Sequence, residues 1–427
     1  MTGRRLPTIT KLLRVLGPGL LTGAADDDPS GIATYSQSGA QFGYTLCWTM
    51  FLTTPFMVAI QIVSARIGSV TGRGLAANLG AVVPPVLLFA IIALLTAANV
   101  VNIAADIAAM AAAMQILVGG PAPVYALCFG VICLSAQIAI PYRRYAQYMK
   151  VLTLVLFAYV ATALVVHVPW NEVLVATVVP HLPWNRDAIL MLVAVLGTTI
   201  SPYLFFWQAS LEVEERRVKE RRKVAPLKDD DAAARRRFGP IVLDTWAGMV
   251  LSNVIGFFII VATAATLHAH GTTNIDTAAA AAEALRPLAG ELAFLLFAIG
   301  IIGTGLLAIP ALAGSAAYAI AEAFGWKNSL GLAPWQARGF YVIIAAATLI
   351  GSFGALLPIN PIRMLVWSAV FNGIVAVPLM AGMMVVVTNR KIMGEYGASR
   401  LLAAFGWLAT AFMGLVVAAF FYASVTG

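Results

Sequence analysis

The sequence predicts an all-α membrane protein of about eleven transmembrane helices, built as two inverted five-helix blocks plus one extra helix. Three observations predict it. Hydrophobic residues fill 61% of the 427 positions against 11% charged, along the whole chain, which is more apolar surface than a water-soluble fold can hide. Uncharged stretches of about 20 residues, the helical length that crosses ~30 Å of hydrocarbon, recur from end to end. Two of these stretches, five spans apart, are interrupted by proline and polar residues, and the first interruption is a run of carboxylates, Asp26-Asp27-Asp28-Pro29-Ser30-Gly31. Runs this long and continuously apolar favour helices over the alternating strands of a barrel, because a helix satisfies its own backbone in lipid.

The elements follow in order. Residues 16–40 form the first span, holding Gly17-Pro18-Gly19 and the acidic break. Its basic preface, Arg4 to Arg14, and Gly23-Ala24-Ala25 have the outline of a cleaved leader, but the uncharged stretch resumes after Asp28, so a retained span is expected. Spans 42–65, 86–118, 123–140 and 145–168 complete a first repeat over residues 1–168. Span 188–211 opens the second repeat, 188–388, and is interrupted at Gly197-Thr198-Thr199-Ile200-Ser201-Pro202-Tyr203. Spans 239–267, 288–323, 336–357 and 361–388 follow, and 400–425 is the extra helix. A block of five is odd, so the second enters the membrane from the opposite side. In such repeats, broken helices present free carbonyls and dipole ends to an ion at the midplane. Pro310 and Pro378 also lie inside spans, but without matching positions in the two repeats.

Basic residues set the expected orientation. Arg4, Arg5, Lys11 and Arg14, then Arg66 and Arg73, Arg143, Arg144 and Lys150, the segment from Arg216 to Arg237, Lys327 and Arg338, and Arg390, Lys391 and Arg400 all fall on alternate connections. The intervening connections hold only Arg186 and Arg286. The positive-inside rule then predicts a multi-pass protein of the cell inner (plasma) membrane with its N-terminus in the cytoplasm and its C-terminus outside. The net charge of +8 belongs to this topology and to anionic headgroups; the bilayer is the expected partner, with neither nucleic acid nor an obligatory protein partner indicated. Trp48, Trp170, Trp184, Trp326 and Trp335 read as an interfacial aromatic belt. The charged stretch from Glu212 to Arg237 reads as a solvated cytoplasmic connection.

Cysteine and histidine exclude some chemistries. Cys47, Cys128 and Cys133 lie in spans without CxxC spacing and read as small buried apolar residues. His167, His181, His268 and His270 fall at outer ends or loops, and His268-Ala269-His270 supplies too few ligands for a metal site. What remains is the acidic break. An ionisable group at membrane depth costs about 2.5–3.5 kcal/mol on insertion scales, so three adjacent carboxylates there ask for a cation. Asp26, Asp27 and Asp28 at the first break, with Thr and Ser oxygens at the second, are the groups available to hold it. Asp106 reads first as an ion-pair partner for Arg338, since intramembrane charges find partners, and Asp244 and Glu291 as interfacial acids.

At these positions the chain resembles a known family. Gly17-Pro18-Gly19-Leu20-Leu21, Asp28-Pro29-Ser30-Gly31 and Gly39-Ala40-Gln41-Phe42-Gly43-Tyr44 look like the first helix of the natural-resistance-associated macrophage protein (Nramp) divalent-metal transporters. The sixth span is similar to that family's Gly-Ala-Thr-x-Met-Pro-His segment, and Thr388-Asn389-Arg390-Lys391-Ile392-Met393-Gly394 looks like its Asn-Arg-Lys ending of the tenth helix. The resemblance implies a leucine-transporter-type fold, alternating access and a transported metal with no cofactor, the ion held by Asp28 with Asp27 and by hydroxyl or carbonyl oxygens of Thr198 and Ser201, with Asp26, Gly31, Tyr203 and Asp106 lining its path. The departures carry more information. Gly31 stands where the family has Asn, and Ser201-Pro202-Tyr203 where it has Met-Pro-His. A thioether favours soft metals, whereas carboxylate, hydroxyl, carbonyl and water suit Mg²⁺. This set resembles the Nramp-related magnesium transporter branch. Ala109 stands where the third helix of the family has a Glu three residues after the acid, so with Tyr203 most of a proton relay is missing.

The expected function is import of Mg²⁺ and Mn²⁺ without proton coupling, and not an enzyme reaction. The alternatives are a proton-coupled Mn²⁺/Fe²⁺ symporter, a Mg²⁺-dependent integral-membrane enzyme, which would need a second facing acidic motif, and a sodium-coupled solute carrier, whose site would be less acidic.

Overall fold

A computed structural model describes residues 17–140, 154–220 and 231–426, and every regular element among them is helical. The first span is two short helices, α1 (Pro18–Asp26) and α2 (Pro29–Phe42). They are followed by α3 (Cys47–Thr71), α4 (Pro85–Val118), α5 (Ala122–Ala139), α6 (Phe157–Val165) and α7 (Trp170–Val178). The second half holds α8 (Arg186–Thr199), α9 (Pro202–Glu220), α10 (Asp231–Thr266), α11 (Ala293–Ala323), α12 (Arg338–Gly354) and α13 (Pro361–Thr388), and α14 (Arg400–Thr426) comes last. Among the described residues eight helical segments are long and apolar enough to cross a membrane, or nine if the α6–α7 pair, bent by 119°, counts as one. The expected first span falls outside that set because its halves have 9 and 14 residues, and the ninth because α12 has 17.

Proline alone does not break a helix here. Pro310 and Pro378 sit inside the continuous α11 and α13, whereas Pro29 and Pro202 each begin a new helix. Proline lacks an N–H and pushes the preceding residue out of the α region. At Pro29 that residue is Asp28, extended at φ −74° and ψ 170°, whose carboxylate caps α2. At Pro202 it is Ser201, whose hydroxyl donates to the carbonyls of Gly197 and Thr198 at 2.9 and 2.8 Å. Each break has a side chain that takes up the backbone groups a bend sets free.

Glycine lets the broken helices pack closely. A Cβ on Gly23 would lie 2.4 Å from the Gly248 carbonyl of α10, and one on Gly197 would lie 2.0 Å from the Ala369 carbonyl of α13. These contacts hold α1 against α10 and α8 against α13, and keep both breaks in the buried centre.

Candidate functional site

The two breaks face each other. The Tyr203 hydroxyl, at the start of α9, donates to the Ala25 carbonyl at the end of α1 at 2.8 Å. Tyr35 and Thr199 hydroxyls meet at 3.0 Å. The Thr198 hydroxyl lies 3.2 Å from where a Gly31 side chain would begin. Asp26, Asp27, Asp28, Thr198, Ser201 and Tyr203 are all buried. The carbonyl ends of α1 and α8 and the amino ends of α2 and α9 meet here, so each break exposes backbone groups of both kinds. Asp28 takes up the N–H side at α2, and the carbonyls and remaining carboxylates are the groups that suit a cation.

The carboxylates divide between two walls. Asp28 Oδ1 accepts from the Gly31 N–H at 2.8 Å and the Ser30 hydroxyl at 2.6 Å, and its Oδ2 accepts from Asn102 Nδ2 of α4 at 2.9 Å. Asp26 and Asp27 turn to α10, where the Ser252 hydroxyl lies 2.6 Å from Asp26 Oδ2 and 2.8 Å from Asp27 Oδ1. One hydroxyl has one proton, so Ser252 satisfies the two carboxylates only in part. Among the described residues no three Asp, Glu, His or Cys side chains converge on a point where a metal could sit. Of the expected ligands, the structure brings Asp28 and Thr198 together at Gly31, directs Asp27 to Ser252, and turns the Ser201 hydroxyl back on its own helix.

Asp106 is fully buried and neither of its oxygens has a hydrogen-bond partner among the described residues. The expected pairing with Arg338 fails, since Arg338 is exposed at the start of α12. Asp106 instead lies one helical turn from Asn102, on the face of α4 turned to the site, and interacts electrostatically with Asp28. Sequence reading missed Asn102 and Ser252 because a lone amide or hydroxyl in an apolar span is unremarkable. The spacing of Asn99, Asn102 and Asp106, three then four residues, was the available signal of one polar stripe.

Other side chains singled out in the sequence have surroundings that the sequence did not show. Asp244 is half-buried on α10 and accepts from the N–H groups of Gly17, Gly19 and Leu20 at 3.0, 2.6 and 3.4 Å, which makes it a cap supplied to α1 from another helix. The stretch 212–217 belongs to α9, not to a solvated connection: Glu212 is buried, accepts from Ser69 at 3.2 Å and lies 3.8 Å from Arg237. Residues 221–230 of that expected connection lie outside the described residues. Trp48 is buried, its indole donating to the His181 carbonyl at 3.1 Å, and Cys128 is exposed where a buried residue was expected.

A family model described as natural resistance-associated macrophage protein-like matches residues 19–423. The chain belongs to this family. Among curated relatives it is similar to the divalent metal cation transporter MntH of Caldanaerobacter subterraneus subsp. tengcongensis, at 25% identity over 98% of this chain and 95% of that one. MntH of Klebsiella pneumoniae is also 25% identical, over 92% and 90%. Among solved structures, a manganese transporter of Eremococcus coleocola superposes with a TM-score of 0.73 at 17% identity, covering 97% of this chain and 88% of that one. Mhp1, a nucleobase-cation-symport-1 family transporter, superposes with a TM-score of 0.60 at 14% identity over 96% and 93%. These likenesses place the Nramp-like chain in the leucine-transporter-type fold, and its first and sixth spans are the discontinuous ones, α1 with α2 and α8 with α9. Family members are membrane transporters, not enzymes, and use no cofactor.

Proposed function

We propose that this chain imports Mg²⁺, and Mn²⁺ with it, by alternating access, driven by the ion gradient and the membrane potential without proton coupling. Its curated relatives are divalent metal cation transporters, which supports metal transport. The observation that carries the finer reading is the donor set at the two breaks: carboxylates, hydroxyls and carbonyls, with Ser201 and Tyr203 in place of a thioether and an imidazole. Mg²⁺ prefers oxygen, demands octahedral geometry and gives up water reluctantly. Asp28 with Asp27, Thr198 and Ser201 would hold the ion, and Asp26, Gly31, Tyr203 and Asp106 would line its path. The Ser201 and Tyr203 hydroxyls donate to carbonyls at the breaks, so an arriving cation would compete for those carbonyls.

In this reading residues 1–168 and 188–388 are the repeats that rock against each other, and 400–425 packs outside them. The N-terminus lies in the cytoplasm and the C-terminus outside, in the inner (plasma) membrane. The lipid bilayer is the partner, and no protein partner is required. Moving two charges across 100 mV is worth about 4.6 kcal/mol, enough to drive uptake without a proton.

The test is uptake of Mg²⁺ and Mn²⁺ into proteoliposomes holding a pH reporter. Uptake of both ions with exclusion of Ca²⁺ and no change in lumenal pH is the expected result. Asp106, buried close to Asp28, favours one competing reading, a surviving proton path. Metal-dependent acidification that disappears in Asp106→Asn would establish that reading instead.

A further inference from the structure

We infer that Asn102 on α4 is a specificity-determining residue of the ion site, its amide turning from a donor to Asp28 into an oxygen acceptor for the ion or the ion's waters. This inference rests on the divalent-cation reading above and adds to it the side chain that stands opposite Asp28.

The position is fixed by one hydrogen bond. Asn102 Nδ2 lies 2.9 Å from Asp28 Oδ2, inside a fully buried residue, so the whole amide is held against the carboxylate. Its other end, Oδ1, has no hydrogen-bond partner among the described residues. The same holds for both oxygens of Asp106 one turn along α4 and for the Thr198 hydroxyl across from Gly31. Here Gly31 contributes no side chain at all. Asp28 itself is served by three donors, but Asn102 Oδ1 and both Asp106 oxygens are buried acceptors without a donor, and the one proton of the Thr198 hydroxyl cannot serve all three; buried acceptors without donors are costly. A hydrated divalent cation is the ligand that corrects this imbalance: its charge attracts oxygens directly, and its polarised waters supply donors in several directions at once.

An amide suits such a site better than a second carboxylate or a hydroxyl. Its donor and acceptor ends are nearly superposable, so a half-turn of the side chain exchanges them without moving the backbone. With Nδ2 toward Asp28, Asn102 satisfies the carboxylate. With Oδ1 turned inward it offers a neutral oxygen, the kind of ligand that Gly31 lacks, without adding a further negative charge to the three carboxylates of the break.

The reconstituted full-length chain tests this with Asn102→Leu, which keeps the branched heavy-atom skeleton and removes both polar ends, and Asn102→Asp, which keeps the acceptor and loses the donor. If Oδ1 serves the ion, Asn102→Leu raises KM for Mg²⁺ and Mn²⁺ about tenfold or more and changes the ratio between the two ions, while Asn102→Asp is the milder variant. If Asn102 serves only as a donor that positions Asp28, Asn102→Asp is the worse, because it sets like charges side by side, and the Mg²⁺ to Mn²⁺ ratio stays at the wild-type value in both. That order overturns the inference. Thermal stabilisation of the purified chain by Mn²⁺ gives a second readout independent of flux: it should shrink in Asn102→Leu and persist in Asn102→Asp. If Asn102→Leu does not fold, Asn102→Ala takes its place: loss of Mn²⁺ stabilisation in Asn102→Ala with its retention in Asn102→Asp decides for the inference, and equal stabilisation in Asn102→Ala and the wild type decides against it. A wild-type chain that takes up no divalent ion yet is stabilised by Mn²⁺ removes the transport reading and leaves Asn102 to be judged by the stabilisation alone; absence of both overturns both.

Discussion

Replacing Asp28 separates its structural duty from its charge. Its carboxylate accepts from the Gly31 N–H, the Ser30 hydroxyl and Asn102 Nδ2 at 2.8, 2.6 and 2.9 Å, so it caps α2 while facing the proposed ion. Asp28→Ala loses the cap, about 0.5–2 kcal/mol, and strands the buried Asn102 donor, about 1–3 kcal/mol, for a loss of roughly 1.5–5 kcal/mol. Asp28→Asn keeps an oxygen for the cap, since Asn and Asp cap helices about equally well, and the Asn102 amide can turn to accept from the new one. Removing a buried charge also relieves desolvation, so Asp28→Asn should match the wild type in thermal stability measured in a metal chelator. Transport should fail in both. A unit charge pair about 4 Å apart at an effective dielectric near 20 is worth about 4 kcal/mol, roughly three powers of ten in occupancy, and a divalent ion feels more. The assay is Mn²⁺ uptake into proteoliposomes beside thermal unfolding of the same preparation. Uptake by Asp28→Asn within tenfold of the wild type would refute the assignment of Asp28 to the ion, and an Asp28→Ala variant as stable as the wild type would refute its role as a cap.

Further outcomes follow from the same geometry. Ser252→Ala removes the hydroxyl lying 2.6 and 2.8 Å from Asp26 and Asp27; it should cost about 1–3 kcal/mol and lower Mn²⁺ affinity about 10- to 100-fold, measured by titration of metal-induced stabilisation. Gly31→Asn with Ser201→Met should move the ion ranking toward Mn²⁺ and Cd²⁺ and away from Mg²⁺; the new Cβ would sit 3.2 Å from the Thr198 hydroxyl, which must give way slightly, and an unchanged ranking in competition uptake would defeat the soft-ligand argument. Asp244→Ala frees the N–H groups of Gly17, Gly19 and Leu20, so hydrogen exchange across 17–24 should quicken by an amount matching about 1 kcal/mol while exchange in α13 stays as it was.

The all-helical membrane class, the breaks in the first and sixth spans and the acids at the first break were legible in the sequence. Each of these is a local property: hydropathy over about 20 residues, a proline with a capping neighbour, and a charge inside an apolar run. The number of spans was not, since eight or nine helical segments, not eleven, are long and apolar enough to cross among the described residues. Nor could the sequence determine which side chains complete the site. Asn102 reaches Asp28 across 74 residues, Ser252 reaches Asp26 across 226, and Asp244 reaches Gly17 across 227. The same gap explains Asp106, expected to pair with Arg338 and found instead on the Asn102 face of α4. It explains Glu212 as well, whose charged neighbours suggested solvent until Ser69 and Arg237 packed around it. These pairings come from how the helices pack. A helix in lipid can turn about its axis at little hydrophobic cost, because lipid is as apolar as the protein interior; its rotation is set by where glycines such as Gly23 and Gly248 let two backbones close.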